Sequence, residues 1–336
     1  MKILSVMIAF SITLTSGCAQ APHPTVSPMA DTTRLAFIIA SDGSEGIYAG
    51  TFGDIVILGV ESRATIRVTK DTFIDESPQW APDGKSIAFL SSRAEGHWRT
   101  QLRGLGSPLG LYEYRLADGE IRRIGTNSQF KMGIDSVYCF AWMADGTGLF
   151  VSRGDTIVYR VGRDTDSISV YTVFKGGVSV TDISSSPDGR WVAFACSKRE
   201  RFKNGYGITN SLAVMDIETR EIRPIPQECI PKNPWIQGWN SRGDGIIHRK
   251  MDLTEYSPGT GECNTYLPSP LKDRIVLGDM AFANDGRMFF SRDEEKGIPK
   301  AILSYDEHTK EVITVFESPM TITFDHSGLW RPGARK

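Results

Sequence analysis

Four carboxylates, Asp75 and Glu76, Asp182 and Asp279, stand just before strand-like segments at corresponding places along the chain. Gathered in one place, such acids bind a cation or a basic peptide; left apart, they are ordinary solvated loop residues. Asp83, Asp145, Asp188 and Asp285 recur in a different setting, inside tight turns. Their repetition marks a turn residue rather than a catalytic carboxylate pair. None of His23, His97, His248, His308 and His326 falls in an H-x-x-x-H or H-E-x-x-H pattern, which would set two metal ligands on one face. His248 occupies an aromatic slot of a strand and reads as a packed core residue, so no metal ligand is assigned. No G-x-S-x-G nucleophile elbow occurs. No catalytic residue and no cofactor is therefore assigned, and an enzyme is the less favoured class. The cysteines are Cys18, Cys139, Cys196, Cys229 and Cys263, and no two have the CxxC spacing of a redox or zinc motif. Cys139 and Cys196 sit in strand-like repeats and read as small buried apolar residues. Cys229 and Cys263 lie in turn-rich segments of one neighbourhood and are either bridged or free.

The elements that must position these residues are repeated. ESPQWAPDGKSIAFLSS, Glu76–Ser92, returns as TDISSSPDGRWVAFACS, Thr181–Ser197. Weaker copies begin at Val137, Ile236 and Leu277, and a truncated copy at Met320. A large residue, Trp80, Trp142, Trp239, Phe282 or Phe324, stands four places before the turn glycine, with Ser185 the exception. Each unit then reads as a short strand, a Pro-Asp-Gly turn in which proline presets φ and glycine takes positive φ, and a second strand rich in β-branched and aromatic residues. A third-and-fourth-strand hairpin follows, as in Gly110–Ile124, Ser211–Ile225 and Ala301–Phe316. Four antiparallel strands in about 50 residues make one propeller blade.

These units resemble the WD-repeat-like propeller repeats of the TolB family, most closely at Trp80–Phe89 and Ser185–Phe194, over roughly residues 34–330. The resemblance implies an all-β propeller with protein partners at the cell envelope. TolB itself has an additional N-terminal α/β domain where this chain has a short tether, so a role in the Tol–Pal system is not implied. Arg34–Ala40 matches a second strand and is followed by the hairpin-like Asp54–Lys70, so the first blade lacks its first strand. A strand near 320–330 supplies it, joining three N-terminal strands, closing the ring and hiding the free edges. The expectation over 33–336 is a six-bladed β-propeller of four-stranded antiparallel blades, one of them composite.

Residues 1–17 read as a signal peptide, with Met1-Lys2 positive and Ile3–Leu14 apolar but too short to span a bilayer. Leu14–Cys18, LTSGC, resembles the lipobox of bacterial lipoproteins, although Thr15 departs from its commonest form. The resemblance implies cleavage before Cys18 and anchoring to the membrane through acyl chains on that cysteine. An ordinary secretory signal is the alternative. Residues 18–32, rich in Pro, Ala, Ser and Thr, form a tether, and neither Ala19 nor Gln20 is the aspartate that retains lipoproteins in the inner membrane of enteric bacteria. The expected location is the cell membrane or outer membrane, facing the periplasm or the cell exterior.

With 336 residues and 40% hydrophobic content the chain can build a sizeable core. A net charge of −2 with one interrupted basic cluster, Lys198–Lys203, gives no basic face for nucleic acid. Function must lie where the copies differ. The connections Arg93–Gly110 and Lys198–Asn210 are longer than a hairpin needs. There Trp98, Arg99, Arg103, Arg201, Phe202 and Tyr206 are of the types that anchor interfaces, with packing on their own blades the alternative. First strands lie nearest a propeller axis, so Asp75, Glu76, Asp182 and Asp279 are candidates for an acidic channel mouth. The expected function is a membrane-anchored, extracytoplasmic protein-binding or scaffolding module. The alternative is an enzyme or a small-ligand- or glycan-binding propeller with its site at the central channel.

Overall fold

The computed structural model describes residues 31, 33–40, 53–71, 73–95, 109–126, 137–202, 205–230, 234, 236–240, 242–249, 253–266, 277–283, 287–293, 299–306, 308–318, 322–323 and 329–330. The signal-like segment, Cys18 and most of the tether lie outside the described residues.

The turns arise as their residue types require. At Pro82-Asp83-Gly84 the glycine has φ of 66°, and its N–H donates to Ala81 O at 2.9 Å. Asp83 Oδ1 accepts from Lys85 N–H at 2.9 Å, closing the turn from the side. Asp145 and Asp188 accept in the same way from Thr147 and Arg190, at 2.9 and 3.0 Å. These aspartates are turn architecture. On either side of each turn the chain is extended, and the second strands are apolar on both faces: every residue of Ser86–Ser91 and of Gly148–Ser152 is buried. Such strands lie inside a layered structure with protein on each side.

The chain runs through β1 (Arg34–Ala40), β2 (Gly53–Gly59) and β3 (Thr65–Arg67), then β4 (Asp75–Trp80), β5 (Ser86–Ser91), β6 (Gly110–Arg115) and β7 (Ile121–Arg123). There follow β8 (Cys139–Trp142), β9 (Gly148–Ser152), β10 (Ile157–Gly162) and β11 (Ile168–Val173). The next group is β12 (Val178–Ser185), β13 (Trp191–Phe202), β14 (Gly205–Asp216) and β15 (Ile222–Pro224). Then come β16 (Ile236–Trp239), β17 (Ile246–Arg249), β18 (Leu253–Tyr256) and β19 (Cys263–Thr265). The last are β20 (Leu277–Phe282), β21 (Arg287–Asp293), β22 (Pro299–Asp306) and β23 (Val312–Glu317), with the short β24 (Ile322–Thr323) and β25 (Leu329–Trp330). From β8 to β23 each group of four is a separate antiparallel sheet. The strands β1 to β7 with β24 and β25 form one nine-stranded sheet, whose two halves are linked by the pairing of Gly53 with Asp75.

The fold is an all-β propeller, and its sheets fit six blades. The first blade is composite. β24 pairs with β1 through Ile322 and Thr323 opposite Ile39 and Ile38, and β25 pairs with it through Leu329 and Trp330 opposite Leu35 and Arg34. Both pieces lie within the 320–330 segment expected to close the ring.

Among the described residues six apolar clusters hold the ring, and each straddles two consecutive blades. Ile55 and Ile57 meet Phe89 and Tyr114; Leu90 and Leu111 meet Phe140 and Leu149. Phe150 and Val158 meet Ile183 and Phe194; Trp191 and Val214 meet Ile236 and Trp239. Ile247 and Leu253 meet Met280 and Phe290, and Phe289 and Ile302 meet Leu35, Phe37 and Ile322, which returns the sequence of contacts to its start. First strands of successive blades also touch one another, from β4 through β8, β12 and β16 to β20, and β25 touches β4. Deleting residues 320–336 strips β24 and β25 from β1 and opens the cluster around Phe37 and Phe289. Thermal unfolding of that truncation is expected to begin roughly 10 °C lower, a loss of several kcal/mol at about 2–4 °C each. Melting at the wild-type temperature would contradict closure through this segment.

Candidate functional site

Asp75 and Glu76 open β4, and Asp182 and Asp279 lie within β12 and β20, so these acids sit inside first strands rather than before them. A register irregularity interrupts all three strands here, between Glu76 and Gln79, between Val180 and Asp182, and between Leu277 and Met280. Ser77 takes a left-handed φ of 52° at the first of these. Counted from the turn glycine, Asp182 and Asp279 share their position with Ser77, Cys139 and Ile236, so the acids do not recur around the ring.

Asp75 is fully buried and engaged internally. Arg93, in the 3-10 turn Ser92–Glu95, donates to both of its carboxylate oxygens, with Nη2 to Oδ2 at 3.1 Å, and also donates to Asp71. The guanidinium lies over the rings of Phe73, Phe89 and Tyr112 at 5.3, 5.3 and 5.9 Å. Burial pushes the Asp75 carboxyl up, and Arg93 pulls the other way. The Asp75 carboxylate is thus engaged by an internal arginine. Arg93 was missed as its partner because eighteen residues separate the two.

Glu76 is different. It remains half-buried, and burial together with the neighbouring Asp75 charge pushes its carboxyl up to about 7. Asp182 is half-buried too, its Oδ1 accepting from Ile183 N–H at 2.8 Å, and the side chain of Asp279 is outside the described residues. Among the described residues no group of three or more His, Cys, Asp or Glu is arranged to hold a metal ion. His248 is fully buried in β17 and His308 is exposed; His23, His97 and His326 are outside the described residues. Cys196 is buried, its thiol pushed up to about 12 by burial, and Cys139 is half-buried. Cys229 and Cys263 are joined by a disulfide with Cα atoms 5.8 Å apart, and Cys263 opens β19 rather than lying in a turn.

The segment Lys198–Asn210 departs furthest from the sequence reading. It is not a loop but the outer half of a two-stranded ribbon. β13 and β14 pair along their whole length, from Trp191 opposite Asp216 to Phe202 opposite Gly205. β12 accompanies β13 only as far as Lys198, and β15 accompanies β14 only over Ala213–Met215. Beyond those points the ribbon has no further described strand on either side. Pairing puts Arg199 opposite Ile208 and Arg201 opposite Tyr206 on one face. The Arg199 guanidinium lies 4.8 Å from the Tyr206 ring centroid. Phe202 lies on the other face over Gly207, where an added Cβ would come within 2.7 Å of its ring. Lys198, Glu200 and Thr209 share that face, with Lys198 to Glu200 at 2.9 Å and Thr209 donating to Glu200 at 2.9 Å. Phe202, Tyr206 and Ile208 are 52, 67 and 71% exposed. Asn204-Gly205 is the sequence signal that could have revealed the hairpin. Trp98, Arg99 and Arg103 lie outside the described residues.

Solved structures share this fold. TolB from Acinetobacter baumannii superposes with a TM-score of 0.59 at 14% identity, covering 86% of this chain and 65% of that one. A protein from Agrobacterium tumefaciens assigned as a TolB gives 0.52 at 13% identity, covering 86% of this chain and 90% of that one. The fold is a TolB-like β-propeller. No protein-family model and no curated protein sequence matches the chain. The chain thus spans slightly less than two thirds of the Acinetobacter TolB, and at these identities the likeness concerns the fold.

Within this propeller Glu76 makes a pH-dependent contribution with a definite sign. Its folded-state carboxyl titrates near 7, above the ordinary value of 4.5, so the folded state binds the extra proton between these values. The favourable contribution is complete below about pH 4.5 and is lost as pH rises through about 7. Glu76→Gln is therefore expected to melt at a higher temperature than wild type at pH 8 and to close most of that gap at pH 5. A gap that is the same at both pH values would refute the raised carboxyl.

Proposed function

We propose that the protein is a lipid-anchored propeller on the outer side of a bacterial membrane that binds a protein partner through the β13–β14 ribbon. The observation that carries this reading is the ribbon itself. It extends past the blade as β-structure and exposes Tyr206 and Ile208 beside Arg199 and Arg201 on one face, with Phe202 exposed on the other. Aromatic and arginine side chains on a rigid support are the residue types that dominate interface energetics, because large area is buried at little entropic cost. Monomeric surfaces rarely leave such groups clustered without use.

The anchor rests on the LTSGC segment, and the resemblance of the repeats to the TolB family supports protein partners at the envelope. Two or three acyl chains at about 0.8 kcal/mol per buried CH₂ hold a protein to a bilayer stably, and a flexible tether then lets a rigid ring reach its partner. Among the described residues no helix is long and apolar enough to cross a membrane.

Two measurements test the reading. Cys18→Ser is expected to move the protein from the membrane pellet to the soluble extracytoplasmic fraction, and a variant that still pellets with membranes would refute the anchor. Cross-linking in intact cells, with a photoreactive residue at Phe202, is expected to trap a discrete protein adduct. A wild-type ribbon that yields no adduct across growth conditions would remove the binding role.

A further inference from the structure

The two edges of the ribbon are not equivalent. The projecting part of β13, Lys198–Arg201, carries a charged side chain at every position. That of β14, Gly205–Thr209, reads G-Y-G-I-T and has no charge and no proline. Lysine, proline and inward charges are the devices by which sheet edges are kept from pairing with other chains. β13 has such protection and β14 has none.

The backbone of β14 is oriented to use that edge. Ile225 N–H donates to Leu212 O at 2.9 Å, so the peptide groups of Leu212 face β15. The two-residue period of a strand turns the N–H and C=O of Ile208 and Tyr206 toward the same outer side. No described strand lies there. Among the described residues Tyr206 and Ile208 are also the most exposed of the large apolar side chains, and they share their face with Arg199 and Arg201. The one acid of the projecting ribbon, Glu200, lies on the opposite face, bonded to Lys198 and Thr209.

We infer that the outer edge of β14 at Gly205–Thr209 is a docking strand for an extended segment of a partner protein that presents apolar and acidic side chains on one face. The incoming segment adds a third strand, its backbone pairing with Tyr206 and Ile208. Its apolar side chains lie on Tyr206 and Ile208, and its carboxylates meet Arg199 and Arg201, which reach across that surface. The arginines decide between occupants. A second copy of the chain would bring a second uncharged edge but no acid to match them. This inference rests on the protein-binding reading and specifies its chemistry.

The test uses the full chain and three labelled peptides of about ten residues. One alternates Glu and Val, one alternates Lys and Val, and one is the Glu-Val peptide with N-methyl groups on alternate residues. Fluorescence anisotropy is expected to show binding of the Glu-Val peptide, with the Lys-Val and N-methylated peptides weaker by about tenfold or more. Ile208→Pro should weaken Glu-Val binding similarly while leaving the pairing with β13 intact, since the lost N–H faces outward. Ile208→Lys, which keeps the backbone, provides a second variant should the proline disturb folding. Arg199→Glu combined with Arg201→Glu should reverse the preference toward Lys-Val. Equal binding of the N-methylated peptide would overturn strand addition. So would a concentration-dependent dimer abolished by Ile208→Lys, or a pelleting of the soluble Cys18→Ser chain with phosphatidylglycerol vesicles that requires Tyr206 and Ile208. A trapped envelope partner with no response to any of the peptides would sink this inference while leaving the broader protein-binding reading intact.

Discussion

A small four-stranded sheet whose strands are apolar on both faces cannot stand in water, and the whole architecture follows from that. In Ser86–Ser91 alternate residues serve different neighbours: Ile87 and Phe89 pack toward the preceding blade, and Ala88 and Leu90 toward the following one. Every blade therefore needs a partner on each side, and only a closed ring leaves none without one. The cluster of Phe37, Phe289 and Ile322 is the same interface as the other five, built from the two ends of the chain. Burial of a large apolar side chain contributes about 1.5–3 kcal/mol, and each seam contains several.

Burying both faces forces the polar groups at the seams to find partners. The large residue of the repeat answers part of that demand. The indole of Trp142 donates to Gln79 O and that of Trp239 to Ser184 O, each at 3.3 Å. Both acceptors are the residue before the corresponding slot in the preceding blade, so the repeated tryptophan is a blade-to-blade tie as well as core. Buried charge is handled the same way. Glu113, fully buried, accepts from Arg122 within its own blade and from Arg163 of the next, and Arg163 also reaches Asp83 at 2.8 Å. At the closing seam Arg287 donates to Thr33 Oγ1 at 2.7 Å and to Glu61 at 3.2 Å. Removing both arginines from Glu113 would strand a buried charge, a defect that costs about 3–5 kcal/mol.

These two demands explain what could be read in advance. The turn aspartates Asp83, Asp145 and Asp188, the second strands and the outer hairpins are local, each specified by a few neighbouring residues, and they appear where the repeat puts them, while Asp285 lies outside the described residues. Closure was legible as well, because Arg34–Ala40 lacks a first strand and the segment near 320–330 supplies it. Pairings across distance were not legible. Arg93 looked like the start of a long connection, yet it captures Asp75 and lies over three aromatic rings. The ribbon failed for another reason. Its charged residues read as solvated loop, and the gathering of Arg199, Arg201, Tyr206 and Ile208 on one face has meaning only once the register across Phe202 and Gly205 is known.

The ribbon also shows how a closed ring makes room for function. A blade is held from both sides, so its second and third strands can continue outward without loss of the seam they start from. β13 and β14 are buried from Trp191 to Cys196 and from Leu212 to Asp216, and their exposed halves are extensions of those same hydrogen-bonded strands. An isolated hairpin is marginally stable in water at best. Rooted in a packed blade, it starts from an ordered register, and the cost of nucleating it has already been met. Side chains on such an extension are held at fixed spacing, which an unstructured loop of the same composition would not provide. The repeated positions thus supply rigidity, and the β13–β14 hairpin is an unrepeated extension that starts from it.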